Sequence, residues 1–304
     1  MAETTQPGVP GSPAAGASAQ NDPGGLGLLF VHRRMTAAIQ NVTVDVMLLA
    51  REPHSRMQTL RDLLVAGRVL CDQADAIGVP YNWIDHARQA GQEGRKAVGT
   101  YSLPPRRPVS RPMLIAQLRH QVDTLSTLAA VGPVRRARAA VGAVTAERLS
   151  EHLRLQWLRV AMVATAINLT EVEAAGWWRT DATYWQSRLA QIEQQEAPDL
   201  GRQWRELTQL ASVREARCRV AAMGMVGIDL TASQPHQLPP APHLLEATAE
   251  KAWHTAQFDT EPGSQIGAAI AATGIDEGHY IGQDDTHDLP PPVLSLDRHT
   301  EPEL

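Results

Sequence analysis

The chain has 304 residues, 43% of them hydrophobic, with 28 basic and 33 acidic side chains and a net charge of −5. That length is ample for a buried core. The two cysteines, Cys71 and Cys218, match neither a disulfide framework nor a zinc spacing. The first residues lack the basic-then-apolar layout of a secretory leader, so the expected compartment is the cytoplasm.

Charge is unevenly spread. Residues 1–25 sum to −2, residues 26–160 to +9, residues 161–225 to −1 and residues 226–304 to −11. A basic front and an acidic tail point to a polyanion-binding region and a solvating or self-masking tail. The blander reading of the tail is a disordered acidic end. Of the 28 basic residues 26 are Arg, a bias that a GC-rich coding sequence produces by itself and that weakens the electrostatic argument.

Residues 1–25 form a low-complexity arm of Pro, Gly, Ala and Ser, expected to be disordered. Residues 26–102 read as an N-terminal helical module. Its first helix, residues 28–50, places Phe30, Met35, Ile39, Val42, Val46 and Leu49 on one side. Pro53 breaks it. A second helix, capped by Ser55, carries Met57, Leu60, Leu64, Val65, Val69 and Ala76. Gly78-Val79-Pro80 is a tight break, and a third helix runs from Tyr81 to about Gln92, its end loosened by Gly91 and Gly94.

Residues 103–112, LPPRRPVSRP, hold four prolines in ten and read as an extended linker. A larger helical bundle is expected over residues 113–230. Leu114, Leu118, Val122, Leu125 and Leu128 or Ala129 make its first stripe, ended by Gly132. Pro133 suits the first turn of a new helix, with a kink or break near Gly142 and Thr145.

Residues 149–169 are the expected centre of the bundle. Leu149, Leu153, Trp157, Val160, Ala164 and Ile167 share one face, and residues 160–169 are apolar nearly all round, which predicts burial all round. That run is about half the length of a membrane span, so no membrane association is expected. Thr170 and Glu173 form a capping-box pattern opening a helix to about Gln195. A last helix spans residues 200–225. Trp157, Trp177, Trp178, Trp185 and Trp204 are the large core pieces such a bundle needs. Residues 231–304 read as a Pro-rich, acidic, largely disordered tail, with a short helix around Trp253 and a weak one over residues 265–272. The fold class is all-α.

The one constellation with a mechanism behind it covers residues 70–91 and resembles a helix-turn-helix. Ala74 is the small residue at the helix crossing, Gly78 the permissive corner, Val79 a plug, and Leu70, Ile77, Ile84 and Ala87 the inner faces. Tyr81, Asn82, Asp85, His86 and Gln89 then face outward. Asn82, Gln89 and His86 suit base edges, and Arg88, Arg95, Lys96, Arg106 and Arg107 suit phosphates. Gln73 at an apolar position, Pro80 as the opening residue, and Asp72, Asp75 and Asp85 count against it. The competing reading is a structural corner. Arg111, Arg135, Arg136 and Arg138 extend the basic series, and the last three lie in the first turns of the expected helix, where the dipole disfavours cations. Double-stranded DNA is the expected partner, with self-association or protein docking through the bundle.

No phosphate-loop, dinucleotide, zinc-protease or nucleophile-elbow pattern is present in the sequence, so neither an enzyme nor a cofactor is expected. Asp276, Glu277, His279, Asp284, Asp285, His287 and Asp288 are metal-ligand types on a tail that does not pre-place them. The alternative function is a helical interaction or scaffold protein without nucleic-acid contact.

Overall fold

The computed structural model describes residues 23–51, 57–99 and 101–260. Residues 1–22 of the N-terminal arm, the Ser55 cap, the helix expected over residues 265–272 and the acidic cluster from Asp276 to Asp288 lie outside the described residues, while the arm's last three residues open α1. Among those described, the regular elements are all helical and no strand occurs, and residues 101–110 run as an irregular linker. In chain order the helices are α1 Pro23–Ala50, α2 Met57–Ala76, α3 Tyr81–Gln92, α4 Arg111–Arg138, α5 Ala143–Ala166, α6 Glu171–Ala174, α7 Ala182–Glu193, α8 Ala197–Thr208, α9 Leu210–Met225 and α10 Pro242–Thr260. The described residues up to Ala256 belong to one compact unit.

The helices α4 and α5 run antiparallel and form a spine shared by two cores. The first half of α4, through Leu118 and Val122, meets the end of α5, where Val160, Met162, Val163, Ala164, Ile167 and Leu169 are buried with α1, α2, α3 and Met223 of α9. The second half of α4, Leu125 to Val134, meets Leu149 and Leu153 of α5 and closes over α7, α8 and α10. The apolar run at the end of α5 is buried all round, as its composition requires. The three helices before the linker thus share a core with α4, α5 and α9.

Several boundaries differ from the sequence reading, each for a physical reason. The helix α4 continues through Gly132 and Pro133 to Arg138. An internal proline costs roughly 3 kcal/mol, which the burial of Val131 and Val134 in the second core offsets. The break comes at Gly142, the N-cap of α5. Consequently Arg135, Arg136 and Arg138 occupy a last turn, where cations are favoured, and the dipole conflict disappears.

The capping box of Thr170 and Glu173 forms, but α6 stops after four residues and Gly176 turns the chain at positive φ. Asp181 then caps α7 through the Tyr184 amide. Extended backbone at Gln209 splits the expected last helix into α8 and α9.

Burial on α1 and α2 is shifted. His32, Met35, Thr36, Ile39 and Gln40 form the inner stripe of α1, and Phe30 is 59% exposed. Only the end of α2 from Val69 is buried, leaving Met57, Leu64 and Val65 outside.

Past Gln234 the chain is still part of the fold. Leu245, Ala249, Ala252 and Trp253 of α10 pack into the second core. The preceding Pro-rich stretch is held by indole donors. Trp178 Nε1 donates to the His236 carbonyl at 2.9 Å, and Trp157 Nε1 donates to the carbonyls of Pro239 and Pro240 at 3.1 and 2.9 Å. A proline-rich segment offers acceptors and few donors, and an indole N–H is a donor only. Trp185 and Trp204 are buried core pieces, whereas Trp157, Trp177 and Trp178 are half-buried.

Candidate functional site

The corner between α2 and α3 is built as the sequence suggests. Gly78 has φ +77°, the Val79 amide bonds the Ala74 carbonyl at 2.8 Å, and the Gly78 amide bonds that of Asp75 at 3.0 Å. These two bonds are the Schellman pair that ends a helix on a left-handed residue. Ala74, Ile77, Val79, Ile84 and Ala87 are buried there. Gln73 is fully buried because its Oε1 accepts from Arg159 Nε at 2.9 Å, tying α2 to α5. Burial, the nearby Arg219 charge and an opposing attraction from Asp72 together hold the Arg159 guanidinium down to about 10. Gly91, expected to loosen α3, instead seats it: a Cβ there would lie 2.5 Å from Thr43 Cβ and 2.7 Å from the Gln40 carbonyl oxygen of α1.

The outward face of α3 is only partly open. Tyr81 is 69% exposed, Arg88 and Gln89 are exposed, and His86 is half-buried. Asn82 is covered by the linker: its Nδ2 donates to the Pro105 carbonyl at 2.8 Å, and Trp83 Nε1 donates to that of Pro104 at 2.8 Å. Asn82 Oδ1 is buried without a partner. Reading a base edge would therefore require the linker to lift.

The cations are divided between the two ends of a helix about 18 Å long. Arg106 and Arg107, both exposed, follow the prolines anchored at the start of α3. Arg95 and Lys96 follow its end, where Arg95 pairs with Glu93 at 2.5 Å and Lys96 with Asp45 at 3.3 Å. Gln89 bonds Glu93 at 3.3 Å.

The other arginines of the basic series hold the fold together. Arg111 grips both carboxylate oxygens of Glu173 at 2.7 Å and the carbonyls of Ile167 and Asn168 at the end of α5. That grip, with smaller help from Thr170, holds the Glu173 carboxyl down to about 2. Arg138 donates to the carbonyls of Gln195 and Glu193 past the end of α7, and Arg136 pairs with Glu250 of α10 at 3.3 Å.

One residue that the sequence reading passed over stands out. His32, 1% exposed, lies on the inner stripe of α1, and its Nε2 is 2.9 Å from the Ile77 carbonyl at the corner. A carbonyl only accepts, so Nε2 carries the proton. Burial, against the opposing carbonyl bond and with help from Arg106, pushes the imidazole down to about 4. The ring is thus neutral at pH 7 and its Nδ1 is a bare acceptor. That Nδ1 has no partner, an omission that ordinarily costs about 1–3 kcal/mol. Its spacing from Met35 and Thr36 was the sequence clue.

Among the described residues no cluster of three or more metal-ligating side chains occurs, and no helix is long and apolar enough to cross a membrane. No protein-family model matches the chain, and comparison with curated proteins and with solved structures gives no significant similarity.

Proposed function

We propose that this chain is a helical interaction protein that self-associates through the free end of the α1–α2 hairpin. The observation that carries the reading is an apolar surface that no other described residue covers there. Leu48, Leu64 and Val65 are 52%, 53% and 43% exposed. Between the two helices Val42, Val46, Met47 and Leu63 line a groove of about 480 Å³. A two-helix hairpin buries little by itself, and a second hairpin laid against it makes the four-helix arrangement that covers both stripes.

Charge favours a second copy over a polyanion. Residues 45–72 carry four acidic and four basic side chains, and Asp45 and Arg68 are paired with Lys96 and Glu215, so this stretch has no net charge and is compatible with itself. An isologous pairing places such a surface on its own like. A duplex reader needs cations without partners and an open reading helix. Here Arg95 and Lys96 have carboxylate partners and Asn82 lies under the linker, while Arg88, Arg106 and Arg107 remain for that role. The two unbridged cysteines, Cys71 half-buried and Cys218 exposed, support a reducing compartment, the cytoplasm.

Sedimentation velocity over a concentration series tests the reading. The expected result is a monomer–dimer equilibrium that Leu64→Glu abolishes with the helical circular-dichroism spectrum unchanged. A protein that stays monomeric throughout overturns it. Binding of random-sequence duplex DNA that weakens steeply with salt, with no change in dimerisation by Leu64→Glu, would move the assignment to nucleic-acid recognition through α3.

A further inference from the structure

A second surface that fits itself lies on α5, and it is independent of the hairpin. A trough of about 820 Å³ runs along the first half of that helix. Glu147, Ser150, Arg154, Trp157 and Leu158 form one side of it, and the start of α10 forms the other. The five α5 residues recur three or four apart, so they share a stripe. That stripe turns away from Leu149, Leu153 and Val160, which are buried. Val144, 60% exposed, continues it toward the start of the helix. Glu147, Ser150 and Arg154 are exposed, while Trp157 and Leu158 are half-buried.

Two charges on the stripe lack a counterpart in their own chain. Glu147 and Arg154 form no ion pair among the described residues, whereas nearby Glu151 is paired with Arg217 and Glu250 with Arg136. The order of side chains along the helix supplies the missing partners. From its start the stripe reads Ala143 and Val144, an acid at 147, a small hydroxyl at 150, a base at 154, then Trp157 and Leu158. Turned end for end about Ser150, the series meets its own complement. The acid falls on the base in both charged layers, and the small apolar pair falls on the large one at both ends. A parallel pairing would instead set Glu147 on Glu147 and Arg154 on Arg154. Positions 143, 147, 150, 154 and 157 alternate steps of four and three, the spacing of a seam between two helices.

We propose that α5 of a second copy lies antiparallel in this trough, with the two-fold axis at Ser150 and Glu147 of each copy against Arg154 of the other. An isologous contact requires this kind of self-complementarity, and the small Ser150 side chain lets the helices approach at the axis. About 24 Å of helix takes part. Exposed ion pairs add little affinity, so the apolar ends hold the pair together and the charges fix its direction. The face is more polar than the hairpin surface, so it pairs only above the concentrations at which the hairpin does. A chain carrying two different isologous surfaces builds a closed four-copy assembly or an open chain.

The test uses the full-length chain carrying Leu64→Glu, which removes hairpin pairing, in sedimentation equilibrium up to about 1 mM, the range of weak contacts. A dimer should appear toward the top of that range. Arg154→Glu and Glu147→Arg, each at an exposed position, should separately weaken it by about tenfold or more, because both charged layers then oppose like charges. Mixing the two single variants should restore a dimer made of one chain of each kind, and so should combining both changes in one chain. Circular dichroism checks that each variant keeps its helices. The proposal is overturned if no dimer forms at about 1 mM, if Arg154→Glu associates as its parent does, or if the mixed variants stay monomeric. With Leu64 intact, Arg154→Glu should stop assembly at the dimer, and a monomer there would count against the hairpin alone.

Discussion

Acidification should loosen this protein through one imidazole. His32 is held at about 4 in the folded chain against 6.5 for a free histidine. Below pH 6.5 the unfolded chain takes up a proton at this position that the native chain refuses. Native stability therefore falls as pH drops from about 6.5, and the loss is complete near pH 4, where both states are protonated. At 1.36 kcal/mol per pKa unit the shift corresponds to about 3 kcal/mol over that window. Glu173, held at about 2 against 4.5, has the complementary sign. Its contribution is present above pH 4.5 and is lost only as pH falls from there to about 2, so the two windows hardly overlap. Urea melts at half-unit intervals between pH 7 and pH 4, on the parent and on His32→Gln, read the effect directly. The variant should flatten the pH dependence by most of that amount. A His32 ring that titrates near 6.5 in the folded protein, or a variant with an unchanged pH profile, would refute the argument from burial.

Two further predictions concern packing. Trp185, wholly buried, should cost about 3–5 kcal/mol on truncation to alanine, and half-buried Trp157 only about half of that despite releasing the Pro239 and Pro240 carbonyls. Equal losses in denaturant melts would mean that Trp157 is buried more deeply than the fold places it. Gly91→Ala should destabilise by about 1–3 kcal/mol, although alanine is the better helix former by about 1 kcal/mol, because its methyl would meet the Gln40 carbonyl and Thr43. A stabilised variant in thermal melts would show that α1 and α3 can separate freely.

What the sequence makes legible is local chemistry. The Gly78 corner, the start of α3 after Pro80, the capping box of Thr170 and Glu173 and the break at Gly142 are all written in residues a few positions apart, and all four form. Features set by distant partners are not written that way. Nothing near Asn82 says that residue 105 will cover it, and nothing near residue 111 says that its arginine belongs to Glu173. Pro133 reads as a helix start because its local cost is visible and its burial within α4 is not. The base-reading set drawn from residues 81–96 rests on the exposed face of an isolated helix. The linker and the carboxylates of α1 and of the turn after α3 change what that face presents. His32 was hidden for the opposite reason, a polar residue on a stripe chosen for apolar ones.

The division into two cores has a consequence for the order in which the chain comes off the ribosome. The last buried side chain of the core around α1, α2 and α3 is Ile228, whereas the core around α7 and α8 waits for Trp253. At about 5–20 residues per second, that interval lasts on the order of one to five seconds. Throughout it the second core, with Leu149, Leu153 and Trp204 among its members, still lacks the buried side chains of α10. The first core gives the nascent chain a settled half early, and the proline-rich strap, pinned by Trp178 and Trp157, delivers the closing helix to the open one.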